Sequence, residues 1–105
     1  MSEEKICNSL EEVRTNIDRI DRQIVALLAE RGSSVKQAAG FKISTEDVMA
    51  AQRVEQVIAK VKALSTELGV NPSITEAVYR TMIRGFIEAE LAVHAARQGR
   101  DVIHR

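Results

Sequence analysis

The chain has 105 residues, 45% hydrophobic and 29% charged, enough for one small domain of residues 1–105. Three aromatics (Phe41, Tyr79, Phe86), no Trp and one Pro argue against a β-sandwich or a base-stacking platform, and fifteen cations balanced by fifteen anions leave no field for nucleic acid or an anionic membrane. The single cysteine, Cys7, excludes an internal disulfide and a Cys-rich zinc site, and no signal-like segment or long apolar run is present, so a reduced cytoplasmic protein is expected. Helix 1 is predicted from about Ser9 to Phe41. Ser9 and Glu12 form a capping box, and Val13, Ile17, Ile20, Ile24, Leu27 and Leu28 make one apolar stripe that resumes at Val35, Ala38 and Phe41. Residues 43–47 lose the period and read as a short loop. Helix 2 follows over about 47–68 on Val48, Ala51, Val54, Val57, Ile58, Val61, Leu64 and Leu68, closed by Gly69. Asn71-Pro72 suits an N-cap with proline at the first helical position. Helix 3 then spans about 72–98 on Ile74, Val78, Met82, Ile83, Phe86, Ile87 and Val93, ending near Gly99, with a fraying tail.

Helix 1 is too long for its own domain. At 1.5 Å per residue it reaches roughly 50 Å, against a globule diameter of about 33 Å for a chain of this length. A stripe along that overshoot needs a partner, and the expected architecture is an all-α intertwined homodimer of three-helix chains. The alternative is a break at Gly32 that folds the chain back into a four-helix monomer.

Charges on the apolar stripes point to chemistry. Arg31 occupies a stripe position of helix 1, Glu90 interrupts the stripe of helix 3, and Arg53 sits at the edge of that of helix 2. Lys42 lies eleven residues after Arg31, within about 20° of the same direction if the helix continues. Burying such groups costs several kcal/mol unless opposite charge meets them. One reading is a buried Arg31–Glu90 ion pair with Lys42 and Arg53 reaching water. The other is a cavity for a small polyanion. Arg14 points about 100° away from Arg31 and would line only a partner's cavity.

These residues resemble the all-helical chorismate mutase family, with its relatives the isochorismate pyruvate lyases, over nearly the whole chain. The resemblance is carried by residues 10–21 (LEEVRTNIDRID), 23–31 (QIVALLAER), 35–42 (VKQAAGFK), Arg53-Val54 and the segment 86–91. It implies a dimer with two active sites and no cofactor or metal. In each site Arg14 of the other subunit and Arg31 would hold the substrate carboxylates. Lys42 would meet the ether oxygen and a carboxylate, Arg53 would line the pocket, and Glu90 would bond the ether oxygen. Lys42 and Glu90 are then the catalytic pair, and the first expectation is a mutase turning chorismate into prephenate. Arginines would restrain the enolpyruvyl arm, while the lysine stabilises charge on the ether oxygen as its bond breaks.

Two positions depart from the bacterial pattern. Glu90 stands where Gln is usual, and only a protonated Glu donates to an ether oxygen. Activity is expected to fall as Glu90 deprotonates, with Glu90→Gln flattening the pH profile. Val54 stands where mutases commonly carry Glu, and the lyase branch has Val there, so isochorismate pyruvate lyase is the alternative. A non-catalytic helical dimer or ligand-sensing module is the rival outside catalysis. Glu90 and His94 are spaced i, i+4, but two ligands make a weak metal signal. Cys7 reads as a small apolar side chain, and residues 43–47 as a loop closing over substrate.

Overall fold

The computed structural model describes residues 6–41 and 51–103, which form three helices and no strand: α1 (Leu10–Ala39), α2 (Ala51–Leu68) and α3 (Pro72–Ile103). The all-α, three-helix reading agrees with this. Lys42, the expected loop at 43–47, the start of helix 2 and His104 lie outside the described residues. Two compact units divide the chain, Met1–Val35 with most of α1 and Lys36–Arg105 with α2 and α3.

Ser9 is the N-cap of α1. The Glu12 N–H donates to Ser9 Oγ at 3.1 Å and the Val13 N–H to the Ser9 carbonyl at 3.1 Å. The Glu12 carboxylate reaches back to the Asn8 N–H at 2.7 Å, one residue earlier than in the usual box. Glu11 and Glu12 in the first turn also favour the positive end of the helix dipole. The helix then runs 30 residues without a break at Gly32, about 45 Å. A fold-back at that glycine does not occur. The helix stops two residues before the expected Phe41, where the Gly40 and Phe41 N–H groups donate to the Gln37 and Ala38 carbonyls at 3.2 and 3.0 Å, tightening the last turn.

α2 and α3 pack against each other through a three-residue connection. Gly69, at φ 81°, takes the left-handed conformation that a Cβ resists. The Val70 N–H donates to the Ser65 carbonyl at 2.8 Å and the Gly69 N–H to that of Thr66 at 3.4 Å, the Schellman pattern. Asn71 caps α3 through its Oδ1, which accepts from the Ser73 N–H at 2.9 Å, and Pro72 is the first helical residue. Along α2 the buried side chains are Ile58, Val61 and Ser65, flanked by half-buried Val54 and Val57. Burying an aliphatic side chain of this size stabilises by about 1.5 to 3 kcal/mol.

Three expectations are corrected. Leu64 and Leu68 are exposed on α2, and Ser65 is buried instead. On α3 the half-buried face runs through Tyr79, Ile83, Phe86 and Glu90, whereas Ile74 and Val78 are exposed. At 100° per residue, Ile74 points about 180° from Ile83, so the expected single stripe mixes two faces. Finally, α3 passes through Gly99 and continues to Ile103.

Candidate active site

α1 carries the first two candidate cations. Arg14, on its second turn, is exposed. Arg31 is half-buried, eighteen residues and thus five full turns after Val13, which puts it in the line of the apolar stripe. Arg31 has an interaction partner within the protein. The long aliphatic side chains of that line, Val13, Ile17, Ile20, Ile24 and Leu27, are all exposed, so a half-buried charge stands among uncovered hydrocarbon. Leu28 and Val35, on either side of Arg31 along the helix, are half-buried.

α2 and α3 carry two more. Arg53, in the first turn of α2, is exposed and lies about 80° from the buried Val61 and 140° from Ile58. Val54 beside it is half-buried. Glu90 continues the half-buried face of α3, one of its oxygens, Oε1, is buried, and the carboxyl is engaged. The helices run antiparallel, with Glu55 level with Arg80, so Arg53 and Glu90 stand roughly 12 Å apart along the helix axes. Arg31 and Glu90 are thus both half-buried charged groups, and Arg53 is exposed. The His94 side chain lies outside the described ones, as Lys42 does. Among the described residues no three His, Cys, Asp or Glu converge to hold a metal ion.

A charged ladder joins α2 to α3. Arg80 donates through Nη1 and Nη2 to the two carboxylate oxygens of Glu55 at 2.9 and 3.0 Å, and through Nε to Glu76 at 2.8 Å. Lys62 Nζ meets the other Glu76 oxygen at 3.1 Å. The hydrogen bonds from Arg80 are the chief reason that both carboxyls are held below their ordinary value of 4.5. The same bonds push the guanidinium further up. The helical i, i+4 spacing of Glu76 and Arg80 is visible in the sequence. The cross-helix partner Glu55 is not, because it is set by the register of the hairpin.

No helix among the described residues is long and apolar enough to cross a membrane. A family described as chorismate mutase type II matches residues 13–91, a span that takes in Arg14, Arg31, Lys42, Arg53 and Glu90. The chain is also 31% identical over 85 residues to an isochorismate pyruvate lyase of Pseudomonas aeruginosa, covering 81% of this chain and 84% of that protein. With its long capped α1, its tight α2–α3 hairpin and a match across most of its length, this chain belongs to the chorismate mutase type II family.

Proposed function

We propose that this protein is a homodimeric enzyme that promotes pericyclic cleavage of a ring–enolpyruvyl ether carrying two carboxylates. The observation that carries the reading is Arg31, a half-buried cation in the apolar line of α1, at a position inside the family match. A guanidinium there is suited to a ligand carboxylate, which it grips with paired hydrogen bonds.

The dimer is supported by α1 itself. Its 30 residues extend about 45 Å, and its exposed aliphatic line is the kind of surface that a two-fold partner covers. Arg14, off that line, would be donated to the site of the other subunit. Arg31 then binds one carboxylate and Arg14 of the partner the other. Arg53 lines the pocket, and Lys42 stabilises the ether oxygen as its bond to the ring breaks. Glu90 is assigned to the same ether oxygen. These groups bind, orient and stabilise charge, and no residue serves as a nucleophile.

Of the family's two reactions, the residue pattern alone ranks the mutase first. The lyase relative moves the lyase ahead, and Val54 accords with it. Val54 is apolar and half-buried next to Arg53, where the mutases place a carboxylate for the ring hydroxyl, and the match to the lyase spans 84% of that protein. In the lyase reaction the ether C–O bond breaks as a ring hydrogen passes to the enolpyruvyl methylene, and isochorismate becomes salicylate and pyruvate with no atom left over. The second reading, chorismate to prephenate, forms a C–C bond at that methylene instead, and it draws on Glu90, which fungal mutases share.

The test is direct. Nanomolar protein is mixed with isochorismate or chorismate without added metal or cofactor, and the products are identified. Salicylate with pyruvate in equal amounts is expected. Prephenate alone would select the mutase. No turnover of either compound would leave a non-catalytic, ligand-sensing dimer.

A further inference from the structure

We propose that Arg80 and Glu55 form a clamp that positions Arg53, an inference that rests on the substrate-binding role given to Arg53 above. Arg80 is half-buried on α3, and all three of its nitrogens are committed: Nη1 and Nη2 to Glu55 at 2.9 and 3.0 Å, Nε to Glu76 at 2.8 Å. Lys62 meets the other oxygen of Glu76 at 3.1 Å, a pair separate from the Arg80–Glu55 fork. A two-bond fork fixes the direction of its partner as well as the distance, which a single ammonium cannot do. Exposed ion pairs add only modestly to stability, so the larger effect of this one is on geometry.

Glu55 follows Arg53 by two residues on α2, about 3 Å along the axis and roughly 200° around it. The clamp therefore takes one flank of the helix and leaves Arg53 on the other. Among the described side chains of α2, the buried ones begin at Ile58. Ahead of it, half-buried Val54 and Val57 and the Arg80–Glu55 fork are the described holds on the first turns. Cutting the fork frees those turns to rotate and swings Arg53 away from the direction in which it meets a carboxylate. A contact made equally with substrate and transition state registers in KM and leaves kcat nearly unchanged.

The experiment measures steady-state kinetics of the full-length protein with the substrate that it turns over. Arg80→Gln and Glu55→Gln are each expected to raise KM about tenfold with kcat held within about twofold, and Arg80→Lys to recover part of the loss. Lys62→Gln is the structural control, since it breaks a comparable surface pair nearer the hairpin turn, and its KM should stay within about twofold. An unchanged KM in Glu55→Gln, an equal rise in Lys62→Gln, or a loss confined to kcat overturns the clamp. Glu55→Gln decides the matter if the Arg80 variants do not fold. Wild-type protein that turns over neither compound overturns the proposed function and the clamp together, whereas wild-type turnover with an unmoved KM overturns the clamp alone.

Discussion

Two glycines of the α2–α3 hairpin have opposite roles. Gly69 sits at φ 81° as the left-handed residue that closes α2, and alanine there would be strained, costing about 1 to 2 kcal/mol. Gly85 lies in the middle of α3, where an added Cβ meets nothing within 4 Å, so alanine should stabilise by about 0.5 to 1 kcal/mol. Urea unfolding of the two variants should move the midpoint in opposite directions, and a shift of the same sign in both would contradict the assignment. Single residues were also where the sequence was most readable. Ser9, Glu12, Asn71 and Pro72 act through backbone groups a few residues away, so their pattern is complete within the local chain. Arg31 and Glu90 were readable for a different reason: each interrupts an apolar period, and each is half-buried.

Helices, by contrast, were legible in extent and less so in facing. α3 carries apolar residues on two sides, and periodicity cannot say which side meets α2 when Ile74 and Val78 compete with Ile83 and Phe86. Ser65 is buried although Leu64 beside it is the more apolar, because the register of the hairpin decides which residue faces in. The ladder on Arg80 belongs to the same category, since it depends on a partner twenty-five residues away. It also makes the hairpin sensitive to acid. Glu55 and Glu76 are held below 4.5 in the folded protein by the Arg80 hydrogen bonds. Their contribution is therefore fully present above that value and is lost as the pH falls through the lowered folded values. Thermal melts taken from about pH 7 down to about pH 3 should show a steeper loss of stability for the wild type than for Arg80→Gln. Parallel curves would show that the ladder adds nothing to the fold.

At the scale of the whole molecule, the proposed sharing of sites between subunits has an arithmetic consequence. An Arg14→Ala chain paired with an Arg31→Ala chain builds one site with both arginines intact and one with neither. The purified heterodimer should regain about half of the wild-type activity per dimer, while each homodimer of variants stays nearly inactive. Activity no higher than that of the variant homodimers would mean that each chain builds its site alone. The length of α1 and its exposed aliphatic line prompted this reading. Lys42, named by the resemblance, lies outside the described residues.

The three-residue connection between α2 and α3 also bears on how the molecule is made. Because Gly69, Val70 and Asn71 reverse the chain so tightly, contacts at the turn such as Val70 with Ser65 join residues close in sequence, and little loop entropy opposes them. Closure of the hairpin within one chain would proceed at a rate independent of dilution. Any later joining of two copies through α1 would slow as protein becomes scarce, so newly synthesised chains would wait as half-assembled intermediates with oily surface bare.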